Sequence, residues 1–438
     1  MDRRECFRLA AAGAAATVLP RRLAAEAQAV RATRGLPSPI IKDIKVITTQ
    51  PAGVRLVVVK VVTDQDGLYG YGCATFTQRA DLVVPAVEKY LKPFLVGKPA
   101  DRIEDTWQAC YNSSYWRNGP VLNNAISGVD QALWDIKGRQ AKMPVYELLG
   151  GKCREAAACY THASGAEIEQ TIAQARRFMD QGFRHVRVQV GVPGMAAYGS
   201  AGSGAVFEPA YYIRRALKLF EECRKQLGDE VELLHDVHER VSPNQAVQFL
   251  KDAERFKMFF MEDPLSPEDI AYFHQIRGQC ATPIAMGELF NSPHEWTPLI
   301  TGRLIDYIRI HVTQAGGLTP VRKIAAIAEI HGVRTAWHGP GDVSPIGHAA
   351  NVTLDVVCYN FGIQEYSPFN DRLQEVFRGC PVLKSGSLYA NDAPGWGIEV
   401  DEKLAAKYPY GSFEGEERRR LDGGWGEVRR RDGTIIKQ

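Results

Sequence analysis

Three acidic residues recur at one interval and in one kind of setting: Leu-His-Asp236-Val-His238, Phe-Met-Glu262-Asp-Pro and Met-Gly-Glu288-Leu-Phe, 26 residues apart each time. Each closes a short apolar run (Glu232–Leu234, Met258–Met261, Pro283–Met286) and is followed by a segment with helical periodicity, so each reads as the C-terminal tip of a β-strand in a βα unit. In a barrel of such units, successive tips lie side by side around the mouth, where active sites are built. Strand-end acids can also cap the next helix or pair with lysines. Three in succession favour a metal, because carboxylates brought together repel one another unless a cation sits between them. All-oxygen, hard ligands on rigid strands select Mg²⁺ over zinc.

The elements that must position these acids follow from the same periodicities. Strand candidates are Ala156–His162, His185–Gly191, Glu232–His238, Met258–Asp263, Pro283–Leu289, Tyr307–Val312, Arg334–His338 and Gly362–Tyr366. Between them lie helical periods such as Ile168–Gln181, Tyr211–Leu227, Pro243–Phe256, Pro267–Gly278 and Leu318–His331. The fold class is α/β: a (β/α)8-type barrel over 152–368, preceded by an α+β capping domain over 40–151. In that first domain, Val54–Val62 and Tyr69–Phe76 flank the turn signal Asp64-Gln-Asp66-Gly67, and helical periods follow at Leu82–Leu95, Arg102–Tyr115 and Asn123–Gln140. Residues 369–438 lack repeat character and are expected to return to the capping domain. The Gly/Ser-rich stretch Gly199–Gly204 follows the second barrel strand and is a candidate lid.

Lys and Arg number 53 against 51 acids, a net charge of +2, which offers no electrostatic footprint for nucleic acid. Nine cysteines run from Cys6 to Cys380 without a CxxC pair and read as buried free thiols. Residues 1–29 stand apart: Arg3-Arg4-Glu-Cys-Phe7, an Ala/Gly stretch over Leu9–Leu19, then Ala27-Gln28-Ala29. They resemble a twin-arginine export signal with a small-residue cleavage site, implying a periplasmic protein, or a cytoplasmic one if the leader is not used. The run is too short and alanine-rich to anchor in a membrane.

The segment Ala132-Leu-Trp-Asp135-Ile-Lys, the Asp/Glu/Glu series and Ala315-Gly316-Gly317-Leu-Thr resemble the enolase superfamily over essentially the whole chain after residue 40. Tyr160-Thr-His162-Ala-Ser-Gly, Arg187-Val-Gln-Val-Gly-Val-Pro-Gly with Ala-Tyr198-Gly, His235-Asp236-Val-His238, Asp306-Tyr-Ile-Arg309, His338-Gly-Pro-Gly-Asp342-Val-Ser-Pro and Ile363-Gln-Glu365-Tyr are similar to its mannonate dehydratase branch. The resemblance implies Mg²⁺-assisted removal of the proton α to a carboxylate, then loss of the β-hydroxyl as water, converting an aldonic acid such as D-mannonate or D-gluconate to a 2-keto-3-deoxy acid. It assigns Asp236, Glu262 and Glu288 to the metal, Tyr198 to the base with Arg187 as its activator, and His238 to the general acid. His162, Arg309, His338, Asp342 and Glu365 become substrate-orienting groups, and a homo-oligomer is expected.

The second barrel strand has no Lys-x-Lys and the sixth no lysine, which argues against a cycloisomerase. His311 stands where racemases of the superfamily place an aspartate behind the strand-seven histidine. Thr77 replaces an expected asparagine, and the loop after Tyr198 is short, so the particular sugar acid stays open. An epimerase of acid sugars and a metal-retaining sugar-acid binding or sensing protein are the alternatives; the acid and base residues weigh against a pure binder.

Overall fold

The computed structural model describes residues 37–195, 206–411 and 428–437. The leader, Tyr198 and the Gly199–Gly204 stretch lie outside them. Three antiparallel strands come first among the described residues: β1 (Ile41–Thr49), β2 (Leu56–Thr63) and β3 (Tyr69–Cys73). The helix Pro120–Ala141 packs across this sheet. The approach is so close that a Cβ on Gly70 would stand 2.2 Å from the Ala132 carbonyl oxygen, and one on Gly72 2.0 Å from that of Gly128.

The barrel strands are β4 (Ala157–Gly165), β5 (His185–Val190), β6 (Glu232–Asp236), β7 (Phe260–Glu262), β8 (Ile284–Met286), β9 (Tyr307–Ile308), β10 (Arg334–Thr335) and β11 (Gln364–Glu365). Neighbours pair in parallel from β4 to β10, β11 pairs with β4, and a bridge between Thr335 and Phe361 closes the ring. Every barrel strand except β4, which runs on to Gly165, ends earlier than predicted. His238, Glu239, Asp263 and Gly287 all have positive φ (52°, 60°, 39° and 141°), so the chain leaves the extended conformation as it reaches the mouth.

Period-two alternation sets the layers inside the barrel. Tyr160, Leu234, Phe260, Ala285, Tyr307, Ala336 and Ile363 form a buried apolar floor. Two residues further along the same strands or their tips stand His162, Asp236, Glu262, Gly287, Arg309, His338 and Glu365. One face of each strand therefore supplies first the packing and then the polar groups. The second core layer lies between the strands and helices such as Ile168–Asp180, Pro209–Leu227 and Pro243–Ala253.

Two described helices of the barrel fall outside the predicted periods, Pro293–Thr301 and Pro345–Val357. The second is buried at twelve positions of its thirteen, His348, Asn351 and Asp355 among them, so it has no solvent-exposed face of the kind that marks a surface helix. The cap is fastened to the mouth loops: Asn123 Nδ2 donates to the Asn291 and Gln314 carbonyls (2.9 and 2.8 Å), Trp107 Nε1 to Gly316 (2.8 Å), and Asp130 accepts from the Thr319 amide (3.0 Å).

Beyond residue 368 the contacts divide. Trp396 donates to Asp135 (2.9 Å) and Glu402 pairs with Lys60 (2.5 Å) in the capping part. The strand Ser387–Tyr389 pairs with β4 instead, and Phe207 donates to the Arg429 carbonyl (2.9 Å). The expectation of uniformly buried thiols fails at Cys153, which is exposed; Cys358 and Cys380 are partly so.

Candidate active site at the barrel mouth

β6 and β7 pair Asp236 with Glu262 across the ladder, which places the two carboxylates side by side. Asp236, Glu262 and Asp263 offer oxygens that lie within 4.8 Å of one another. Asp236 Oδ1, Glu262 Oε2 and Asp263 Oδ2 are buried without a hydrogen-bond partner. Orphaned anionic oxygens in that arrangement fit a hard divalent cation. Burial, reinforced by Asp236 and Glu288, holds the Glu262 carboxyl well above its ordinary range despite Arg309 and Arg187. A cation among these acids would relieve that penalty.

Asp263 went unassigned in the sequence because the second acid of a Glu-Asp-Pro turn reads as a turn residue. Its Oδ1 accepts from the Gly287 amide (3.1 Å), and it is 1% exposed. Glu288 stands at the cavity wall, paired with Arg309 and close to His238 Nε2 (3.5 Å) and His338 Nε2 (3.4 Å). Burial opposes its charge, but His338, Arg309 and His238 outweigh it, and its carboxyl is held well below the usual range. Gly287 makes this placement possible. Its φ of 141° suits glycine, and a Cβ there would stand 3.2 Å from the Arg309 carbonyl carbon.

Two buried guanidiniums knit the acids together. Arg187 Nη1 lies 2.9 Å from Glu262, 3.5 Å from Asp236 and 3.7 Å from Glu365. Arg309, fully buried, pairs with Glu288 and Glu365, reaches Glu262 at 3.1 Å, and donates to the Tyr160 hydroxyl at 3.0 Å. His162 Nε2 is 2.9 Å from Glu365; burial, aided by Arg187, pushes its pKa down to about 4. Arg309, His338 and His162 overcome burial to keep Glu365 well below the carboxylate range.

His238 reaches the site by another route than predicted. The expected reason was strand alternation from Asp236, but β6 ends at Asp236 and a left-handed turn carries the imidazole inward. Burial works against its charge, yet Asp236 and Glu288 raise its pKa. His338 Nδ1 meets His311 Nδ1 at 2.6 Å, and burial pushes His338 down to about 4. Asp342 lines the same cavity, with its carboxyl pushed up to about 7 by burial and then by Glu288 and Glu365.

The cavity holds about 300 Å³. Besides the expected residues, Gln78 from the capping part and Gln189, Arg240 and Gln314 from the barrel line it. Gln189 was findable, two residues after Arg187 on the same strand face; the loop residues had no periodicity to reveal them. Of the eleven predicted site residues, the ten described ones converge here, and Tyr198 lies outside the described residues.

Residues 28–150 match the mandelate racemase / muconate lactonizing enzyme N-terminal domain, and residues 170–404 the enolase C-terminal domain-like family. A D-galactonate dehydratase family member, RspA, from Pantoea ananatis is 48% identical over 90% of this chain and 98% of its own. A D-galactonate dehydratase family member from Enterococcus gallinarum is 50% identical over 84% of this chain and 94% of its own. The crystal structure of an enolase from Pantoea ananatis with bound D-gluconate and Mg superposes with a TM-score of 0.86 at 48% identity, covering 91% of this chain and all of that one. With the acid series on consecutive barrel strands and both domains matched, the chain belongs to the D-galactonate dehydratase family of the enolase superfamily.

Proposed function

We propose that this protein is a Mg²⁺-dependent hydro-lyase that removes water from an aldonic acid such as D-mannonate or D-gluconate to give a 2-keto-3-deoxy sugar acid. The observation that carries the reading is the set of buried, unpartnered carboxylate oxygens at the tips of β6 and β7, beside a cavity walled by Arg187, His238 and His338. The dehydratase names of the relatives, and the D-gluconate and Mg in the Pantoea structure, support it.

Asp236, Glu262 and Glu288 would hold the ion. Glu288 is preferred to Asp263 as the third ligand because it lines the cavity, where an ion must also meet substrate, whereas one oxygen of Asp263 is already engaged by the Gly287 amide. When bound, the ion supplies positive charge to the substrate carboxylate, on which negative charge develops as the α-proton leaves.

Tyr198 takes that proton. The Arg187 charge, anchored by Glu262, would favour the phenolate of any tyrosine brought to it. His238, whose pKa the neighbouring acids raise, carries the proton that the departing hydroxyl needs. His162, Arg309, His338, Asp342 and Glu365 orient the substrate.

An epimerase needs a base on each face of the substrate. His338 is a poor second base: its partner His311 is an imidazole without a carboxylate's charge, and burial already pulls His338 down to about 4.

Export and self-association belong to the same proposal. Arg3-Arg4 and Ala27-Gln28-Ala29 support a periplasmic location. Among the described residues no helix is long and apolar enough to cross a membrane. The exposed rings of Tyr90, Tyr115 and Trp116 support a homo-oligomer. The deciding experiment is a screen of six-carbon sugar acids with Mg²⁺, reading 2-keto acid formation. Absence of product from every aldonate would overturn the assignment.

A further inference from the structure

The proposed chemistry leaves one cation of the cavity wall unused. Arg240 follows His238 by two residues in the loop leaving β6, is 6% exposed, and lines the cavity with Asp236, His238 and Glu288. Arg187 and Arg309 are each held by three carboxylates. Among the described residues, Arg240 has no carboxylate within ion-pair distance, and its buried Nε has no hydrogen-bond partner.

One polar group that its side chain meets is Tyr212, whose hydroxyl stands 2.7 Å from His235 Nε2. His235 Nδ1 faces the Val188 carbonyl at 2.7 Å, which can only accept. Nδ1 therefore carries the proton, Nε2 accepts from Tyr212, and the phenolic oxygen keeps a lone pair for Arg240. The guanidinium is thus steadied from one side while donors remain for the cavity. A buried cation with unused donors is costly unless a ligand supplies the missing acceptors.

We infer that Arg240 is a substrate-binding residue that donates to hydroxyl oxygens of the sugar-acid chain beyond the two reacting carbons. None of Asp236, Glu262 and Glu288 lies within ion-pair distance of Arg240, which sets it off the acid cluster on the wall of the same cavity. The uncharged polar groups of the same cavity wall are the amides of Gln78, Gln189 and Gln314. Amides both donate and accept, as hydroxyls do, so the pocket suits a neutral polyhydroxylated tail. Arg240 then sets a preference for long aldonates over short hydroxy acids. This rests on the reading that the cavity takes a sugar acid.

The test compares the full-length parent, Arg240→Met and Arg240→Lys with Mg²⁺ present. D-Gluconate, D-mannonate and D-galactonate are compared with the three-carbon D-glycerate, which keeps the carboxylate and the reacting carbons but lacks the tail. Binding is read by calorimetry and by inhibition, and KM and kcat wherever turnover occurs. Arg240→Met should weaken the six-carbon acids 10- to 100-fold, the value of charge-assisted hydrogen bonds to an uncharged acceptor, and change D-glycerate by less than about twofold. Arg240→Lys should restore part of the loss.

Equal weakening of long and short acids would reduce Arg240 to a support of the β6 tip and overturn the inference. So would unchanged binding of all of them by a folded Arg240→Met protein. A parent that neither binds nor converts any six-carbon acid would instead remove the functional reading on which this one stands.

Discussion

Replacing Glu262 by Gln removes one charge from the acid cluster with little change in shape. The side chain is fully buried, 2.9 Å from Arg187 and 3.1 Å from Arg309. A unit charge about 4 Å away contributes about 4 kcal/mol at an effective dielectric of 20, and a divalent ion feels twice that. Lower desolvation cost and the remaining amide oxygen offset part of it. The net loss in Mg²⁺ affinity is then about 3–5 kcal/mol, roughly 10²–10⁴-fold. In the metal-free protein burial already outweighs the help that Arg187 and Arg309 give the Glu262 charge, so at neutral pH the substitution should leave the metal-free stability unchanged or raise it. Calorimetric titration of Mg²⁺, urea denaturation and 2-keto acid formation read the three quantities on one preparation. Glu288→Gln should weaken Mg²⁺ comparably, and Asp263→Asn by less than tenfold. Undiminished Mg²⁺ affinity and turnover in Glu262→Gln would refute the site. A larger effect from Asp263 than from Glu288 would move the third ligand to Asp263.

Tyr198→Phe should retain the fold and Mg²⁺ binding while turnover falls roughly 10²–10⁴-fold; parental activity would give the proton to another group. His238→Asn should slow loss of the hydroxyl yet leave exchange of the α-proton with deuterated solvent detectable by NMR. Gly287→Ala forces φ of 141° on a residue with a Cβ 3.2 Å from the Arg309 backbone, so it should cost about 1–3 kcal/mol of stability and more than tenfold in turnover. Asp130 is buried, and its carboxyl is pushed up to about 7 from an ordinary 3.8. Between those values the folded chain binds more protons at this site than the unfolded chain, so its contribution to stability falls as pH rises. The advantage of Asp130→Asn over the parent in urea denaturation should therefore grow by a few kcal/mol from pH 4 to 7; a difference independent of pH would refute this.

Local pattern alone determined the repeating βα order and the strand-tip acids, whereas His162, Arg309, His338 and Glu365 of the polar layer were legible only through the family resemblance. A parallel strand buried on both faces is a short apolar run, and a tip acid is visible because it interrupts that run: Asp236 and Glu262 needed no tertiary information. The tertiary structure alone decided what lacks a local period. Helix Pro345–Val357 is buried almost all round, its polar His348, Asn351 and Asp355 included, so no solvent-exposed face marked it. His238 enters the site through a positive-φ turn rather than by strand alternation. Arg309 belongs to the acids because β7, the tip beyond β8, and β11 bring Glu262, Glu288 and Glu365 to it from positions far apart in the chain. Asp263 and Arg240 acquire meaning from the partners they lack, a property that exists only once the barrel has closed around them and excluded water.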